Sequence, residues 1–392
     1  MSAALQSHAA RYRAEAALAL GGFAIGTTEF VIMGLINVVA QDLGVATEDV
    51  GYAISSYALG VVVGAPLLAL LGARLPRKTL LIGLMLLFAV GNIASALATR
   101  FDLFVLLRFI AGLPHGAYFG IAALVAANAV LPGQRARAVA RVMTGLTVAI
   151  LIGAPLGTWA GFEFGWPVAF IGVGVCALLT ALLVAFTVPN SPPDPDASPA
   201  QELRALVNQR VLMTLALVAF GCGGLFAVFS YVVPTLELQA GMPESAGPWV
   251  LAIFGFGTLL GMLGGARLAD WNLMRAIPLI LIGVVVVQAL FYWTANLLWL
   301  ALPHVALIGA SIALGPAVQT RLMDVAGPAQ TMAASLHHAA FNLANALGAW
   351  LAGEAIRAGA VWSSSGLVGA ALGLVGLLLF FLDRWLERRQ RC

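Results

Sequence analysis

Charge is what this chain has least of. Of 392 residues only 9% are charged, while 61% are hydrophobic. A soluble globular chain carries about 25% charged residues, so a soluble fold is excluded. Cysteine is scarce too. Cys176 and Cys222 fall in long apolar runs and Cys392 is the last residue, which leaves no disulfide framework and no metal spacing. No Gly-x4-Gly-Lys-Ser/Thr loop occurs, so nucleotide-driven work is not expected. The histidines do not fall at zinc-binding spacing with carboxylates, and neither metal nor other cofactor is expected. One central acid and scattered histidines do not make the paired carboxylates or Ser/His/Asp set of an enzyme. A sensor would carry a sizeable soluble output domain, and no segment is long and polar enough for one.

What is present is a series of long apolar runs. A membrane span needs about 20 mostly apolar residues. Twelve such runs can be laid along the chain, roughly 16–39, 50–71, 79–98, 103–130, 138–162, 167–188, 211–236, 247–268, 276–295, 298–322, 329–356 and 365–384. An even number puts both termini on one side. If that side is cytoplasmic, seventeen of the 20 basic residues lie inside, Arg100 and Arg357 lie outside, and Arg108 lies within a span. This strong bias predicts cytoplasmic termini by the positive-inside rule. The net charge of +3 then reflects topology rather than nucleic-acid binding. The first apolar run is too long for a signal peptide and has no small-residue cleavage site, so it is expected to stay as a span.

The stretch 189–199, PNSPPDPDASP, is the one long proline-rich polar segment and reads as a linker. It predicts an N-terminal six-helix half over 1–188, a cytoplasmic linker over 189–210 and a C-terminal six-helix half over 211–392. Residues 201–210 are expected to form a short helix on the inner face. The halves echo each other. Gly72-Ala73-Arg74-Leu75 recurs as Gly265-Ala266-Arg267-Leu268, Leu113-Pro114-His115 as Leu302-Pro303-His304, and Leu156-Gly157-Thr158-Trp159 loosely as Leu347-Gly348-Ala349-Trp350. Parallel six-span repeats are used by many secondary transporters, which bind cargo at the repeat interface near the membrane midplane.

The polar residues inside spans carry the chemistry. Glu29 sits near the centre of the first run, where a carboxylate costs at least ~3 kcal/mol. It either lies on a buried hydrogen-bonding face or takes up a proton or cargo. Arg108 in span four is the only intramembrane cation, and it needs a counter-charge or several acceptors. Glu29 and Arg108 are expected to share one polar network that protonation of Glu29 weakens; the alternative for Arg108 is a structural tie to backbone carbonyls. His115 lies seven residues past Arg108, about 10 Å further along the same face, and is a second proton site or a neutral interhelical bond. Tyr118 and Phe119 follow on that side. In span eleven Ser335, His338, Asn342 and Asn345 share one helix face, with His337 beside them and Phe341 within the arc. Such a stripe faces protein or a water-filled cavity, not lipid. It either lines a cavity for hydroxyl- and amide-bearing cargo or makes interhelical bonds of ~0.6 kcal/mol each. Gly145, Gly153, Pro155, Gly157 and Gly161 make span five thin and bendable, either as a hinge or seal between halves or for close packing alone.

Leu107-Arg108-Phe109-Ile110-Ala111-Gly112 resembles the span-four motif of the major facilitator superfamily, and Gly145 with Gly153-Ala154-Pro155-Leu156-Gly157 resembles the span-five motif of its antiporters. Residues 26–35, GTTEFVIMGL, with 108–116, RFIAGLPHG, look like its proton-linked branch of bacterial drug and sugar efflux permeases, where arabinose-efflux and chloramphenicol-resistance proteins belong. The resemblance covers essentially the whole chain. It implies an all-α integral membrane fold of twelve transmembrane helices in the bacterial inner membrane. It also implies a monomer that exports small drug-like molecules, sugars or related metabolites against protons by alternating access. Spans 1, 4, 7 and 10 line the cavity in that family, which makes Met33, Asn37, Phe226, Phe229, Tyr231 and Gln319 cargo candidates. The basic turn Arg74, Arg77 and Lys78 departs from the family pattern, since it has no acid. Its second-half copy keeps Asp270, which is either a gating lock, with Arg275 or a basic residue of the other half, or a solvated loop acid that assists topology. Uptake symport or uniport on the same fold is the rival reading; a membrane enzyme or sensor is the remote one. One proton crossing ~100 mV and one pH unit supplies about 3.7 kcal/mol, enough for a several-hundred-fold gradient of neutral cargo.

Overall fold

The computed structural model describes residues 8–72, 75–130, 135–190, 208–326 and 330–391. In hydrocarbon every backbone N–H and C=O must be satisfied internally, and helices do this within one segment. Among the described residues the regular structure is all helical. Ten stretches are individually long and apolar enough to cross a membrane. One of these, Glu244–Thr294, holds two passes, because the chain turns at Asn272, whose backbone is extended. Gln330–Arg357 adds the remaining pass, and its histidines and asparagines keep it less apolar than the others. Twelve passes result.

The first half contains His8–Gly34, Gly51–Gly72, Arg77–Ala96, Phe101–Asn128, Arg135–Phe164 and Pro167–Thr187. The second contains Gln209–Phe229, the two arms of Gly247–Thr294, Leu298–Ala326, Gln330–Arg357 and Ser365–Arg391. Most of the expected linker falls outside the described residues. Asn208 caps the helix that starts at Gln209, so Arg210 begins span seven rather than ending a separate helix. Spans one and seven bend at matching places. Leu35 (φ −108°, ψ 9°) and Tyr231 (φ −122°, ψ 10°) interrupt the helix, and short helices Ile36–Leu43 and Val232–Ala240 carry each pass on. Both short helices end on a glycine with φ +67°, Gly44 and Gly241, a conformation that costs glycine nothing.

Close helix contacts repeat as well. Gly60 and Gly64 bring span two against the carbonyls of Phe109 and Leu113 in span four, and Gly112 approaches the carbonyl of Tyr57. Gly257, Gly261 and Gly309 make the same contacts with Ala306, Ala310 and Phe254, each 197 residues on. The spatial repeat therefore runs in a different register from the tetrapeptide echoes. His304, in the outer part of span ten, donates its Nε2–H to the Val287 carbonyl (2.8 Å) and does not stand where His115 stands. Short matches in a chain this rich in Leu, Gly and Ala follow composition, whereas the glycine spacing follows contact geometry.

Large apolar side chains such as Leu67, Val90, Phe186, Trp249 and Leu307 are exposed and form the lipid-facing surface. Each half is tied internally at the end that carries the termini. Glu15 of span one pairs with Arg141 of span five (2.6 Å). Arg321 of span ten pairs with Asp383 and Glu387 of span twelve, and Arg384 pairs with the same Glu387.

Adding a side chain at Gly112 or Gly309 would drive a branched group into a facing backbone, and overpacking of this kind costs ~1–3 kcal/mol. Gly112→Leu and Gly309→Leu are expected to lower the thermal unfolding midpoint in detergent by similar amounts. Gly172→Leu and Gly283→Leu, whose glycines face open space, are expected to leave it unchanged.

Candidate functional site

A cavity of about 330 Å³ lies between the two sets of six spans. Its wall includes Glu29 and Phe30 of span one and His115 of span four. Span five contributes Ala140, Thr144 and Thr147, span seven Phe226, span ten Pro316 and Gln319, and span eleven His337, His338, Phe341 and Asn342. Along spans five and ten the lining runs from mid-depth towards the end that carries the termini. Among the described residues Glu29 is the only acid in this wall, and no Lys or Arg lines it.

Glu29 is buried and accepts a hydrogen bond from the Asn345 amide of span eleven (3.4 Å), a contact between the two halves. It makes no ion pair with Arg108. The Arg108 guanidinium is fully buried and donates to the Thr28 hydroxyl (2.9 Å) and the Thr28 carbonyl (3.0 Å). It also lies over the rings of Tyr57 (4.3 Å) and Phe170 (5.1 Å), which supply negative π faces. Thr28 in turn donates to Asn92 of span three. The expected Glu29–Arg108 network is thus indirect: Glu29 adjoins Thr28, and Thr28 holds Arg108 through its hydroxyl and backbone carbonyl. The two aromatic faces add to this hold, while the buried Arg108 Nε has no hydrogen-bond partner among the described residues.

His115 bonds through Nδ1 to the Tyr57 hydroxyl (3.1 Å) and meets Phe119 edge to face (5.3 Å). Phe119 stacks on His338 across the halves at 5.3 Å and 7°. Phe226 meets Phe341 edge-on at 5.0 Å. Asn342 donates to the carbonyl of His338 (3.1 Å), but its side-chain oxygen, the Asn345 oxygen and His337 Nδ1 are buried with no hydrogen-bond partner among the described residues. Buried polar atoms are nearly always satisfied, so the two of these that belong to cavity-lining residues, on His337 and Asn342, are candidates to meet what the cavity admits.

Other expected cargo residues lie elsewhere. Met33 is fully buried in the core beside the bend at Leu35. Phe229 stacks on Phe254 at 3.6 Å and is shielded from the cavity by it. The Tyr118 hydroxyl donates to the Leu18 carbonyl (2.9 Å), which turns this ring into span one. Asn37 and Tyr231 belong to the far end, where the halves touch. Asn37 donates to Glu237, and the Tyr231 hydroxyl donates to the carbonyls of Ala349 (3.0 Å) and Glu48 (3.3 Å). Tyr52 donates to Glu354 (2.8 Å), and Arg357 pairs with Asp49 (3.1 Å). In these cases helix bending past Leu35 and Tyr231, invisible to periodicity, moves the residue off the cavity. The side chain of Ser335 lies outside the described residues.

Of the gating candidates, Arg74 lies outside the described residues, and Arg77 and Lys78 open span three half-buried. Asp270 and Arg275 are exposed, and among the described residues neither makes an ion pair. Gly153 and Gly157 face Thr27 and Val31 of span one, which makes them packing surfaces within one half. Pro155 follows a π-helical turn, Ala149–Gly153, that accommodates its ring. The opposite face of that turn meets the other half, where Gly255 approaches the Ile150 carbonyl.

Sequence reasoning missed Thr28 and Asn92 as the frame of Arg108, and the far-end partners Asp49, Glu237, Glu354 and Arg357. Thr28 stands next to Glu29, and its adjacency was the available signal; the cross-half partners have none.

Residues 18–334 match the sequence pattern of the Major Facilitator Superfamily. The Escherichia coli K12 inner membrane transport protein YdhP is 35% identical over 368 residues, covering 94% of this chain and 95% of that one. The Streptomyces lividans chloramphenicol resistance protein is 34% identical, covering 91% and 93%. A solved bacterial homologue of the human lysosomal transporter Spinster shares the fold at a TM-score of 0.76 and 17% identity, covering 97% of this chain and 98% of that one. With its twelve helical passes and a largely apolar cavity, dotted with polar side chains, between two sets of six, the chain is a multi-pass membrane transporter that belongs to the major facilitator superfamily.

Proposed function

We propose that this transporter exports small neutral or cationic molecules in exchange for protons, with Glu29 as the residue for which proton and cargo compete. One observation carries the reading: the sole acid in the cavity wall is bonded across the halves by Asn345 and has no ion-pair partner. An ionisable group in such a setting marks proton and ion pathways. A wall with one acid and no cation disfavours anionic cargo. Its aromatic faces and unpaired amide and imidazole atoms suit flat molecules with hydroxyl or amide groups. The relatives' names support efflux, and one of them names chloramphenicol resistance.

The halves 1–188 and 211–392 would rock about this site. The structure is closed at the far end by the Asn37–Glu237, Tyr52–Glu354 and Asp49–Arg357 contacts, and its cavity extends towards the end with the termini. With the termini in the cytoplasm of a bacterial inner membrane, as the arginine distribution supports, this is the state that loads cargo from inside. A monomer suffices, because the whole cavity is built from one chain.

Everted membrane vesicles with an acidic, positive interior are expected to accumulate radiolabelled chloramphenicol, or another neutral aromatic amide. Glu29→Gln is expected to reduce accumulation to simple equilibration, a loss on the order of 100-fold in gradient, since the coupled proton supplies about 3.7 kcal/mol. Accumulation by right-side-out vesicles instead would favour uptake. The far-end pairs are partly exposed and each contributes at most ~1 kcal/mol, about fivefold in population. Arg357→Ala is accordingly expected to speed maleimide labelling of a cysteine placed at buried Val50, in a background without native cysteines, by no more than about fivefold; unchanged labelling would remove this pair from the closure.

A further inference from the structure

A second concave site lies far from the transport cavity. It is a surface groove of about 630 Å³ between spans nine and twelve, at the end that carries the termini. Three arginines line it, Arg275, Arg384 and Arg388, and no acid does. Arg384 shares one edge with Glu387, but Arg275 and Arg388 are exposed and make no ion pair among the described residues. The neighbouring acid Asp383 is buried and committed to Arg321. Arg384 and Arg388 are four residues apart on one helix face. Arg275 follows the extended residue Asn272, whose side-chain oxygen accepts from the Arg275 N–H (3.0 Å) and starts span nine at the groove's rim.

Below the arginines the groove becomes apolar. Leu279 and Ile282 lie four and seven residues past Arg275, one and two turns deeper, or about 6–10 Å. Both are about half exposed, as is Phe381 across the groove. The lining therefore changes, over the depth of a lipid headgroup and its first methylenes, from unpaired guanidinium to hydrocarbon. Soluble anions match only the upper part of this gradient, and a zwitterionic lipid brings a cation to three arginines. Basic pockets between helices at a membrane surface are a recognised form of anionic headgroup site.

We propose that this groove is a binding site for an anionic phospholipid, with the phosphate held by Arg275, Arg384 and Arg388 and an acyl chain laid along Leu279, Ile282 and Phe381. The lipid ties spans nine and twelve together beside the buried Arg321–Asp383–Glu387 cluster. It acts from the bilayer rather than from the cargo path, since none of its residues lines the transport cavity.

The test uses purified full-length protein in nanodiscs of phosphatidylcholine containing a minor fraction of phosphatidylglycerol. Lipid retained by the released protein is counted by native mass spectrometry, and the thermal unfolding midpoint is read in parallel. Wild type is expected to retain phosphatidylglycerol at least tenfold above its bulk fraction and to unfold at a higher temperature with it than in phosphatidylcholine alone. Arg275→Ala/Arg388→Ala is expected to lose that enrichment and the added stability while unfolding normally in phosphatidylcholine, because neither side chain makes an ion pair among the described residues. Arg100→Ala, at the opposite end, is expected to behave as wild type. Unselective retention, or enrichment unchanged in the double variant, would overturn the proposal. So would inorganic phosphate at millimolar concentration reproducing the full stabilisation, which would make the groove a site for the soluble anion.

Discussion

A carboxyl group in the middle of a bilayer must be neutral, paired or wet. Glu29 meets this constraint without a cation. It stands in the wall of a cavity, and its hydrogen-bond partner among the described residues is a neutral amide from the other half of the molecule. Much of the structure can be understood as supporting that placement. Arg108 is kept from Glu29 by Thr28, whose hydroxyl and carbonyl accept from the guanidinium. Thr28 is fixed in turn by Asn92, so three spans hold the frame in which the carboxyl sits. A direct Glu29–Arg108 pair would favour the charged carboxylate and oppose proton exchange; the indirect arrangement leaves the carboxyl's partner open to competition.

Two kinds of contact then divide the labour. Within each half, glycines bring helices to backbone contact, as at Gly60, Gly64 and Gly112 and again at Gly257, Gly261 and Gly309. Such contacts are stiff, because a packed backbone has no softer arrangement nearby. Between the halves, partly exposed pairs such as Asp49–Arg357 at the far end combine with apolar packing such as Phe30 against Phe229 (5.8 Å) and with the approach of Gly255 to the Ile150 carbonyl. At the other end the described ion pairs Glu15–Arg141 and Arg321–Asp383 lie within halves. Rocking would exchange the contacts between the halves while keeping the packing within each.

The twelve helices were legible in the sequence because each must hide its backbone from lipid within its own segment, and length and apolarity report that directly. Glu29, Arg108, His115 and the span-eleven stripe were visible for the same reason, as polar residues where polarity is costly. Which of them meet was not legible. The family resemblance put Met33, Asn37 and Tyr231 on the cavity, but spans one and seven bend at Leu35 and Tyr231 and carry Asn37 and Tyr231 to the far end. The glycines of span five read as a hinge or seal, as close packing, or as both; Gly153 and Gly157 pack on Thr27 and Val31 of span one. The partners Asp49–Arg357 and Asn37–Glu237 are separated by hundreds of residues and carry no local pattern.

The central claim is that proton and cargo compete at Glu29. Its most direct test is proton release by purified protein, in weakly buffered detergent solution with a pH indicator, as a neutral aromatic amide such as chloramphenicol is added. The account predicts release from wild type, saturating with cargo, and none from Glu29→Gln although that variant still binds. Equal release from both proteins would contradict it, making Glu29 a structural residue and moving the exchangeable proton to His115 or the histidines of span eleven.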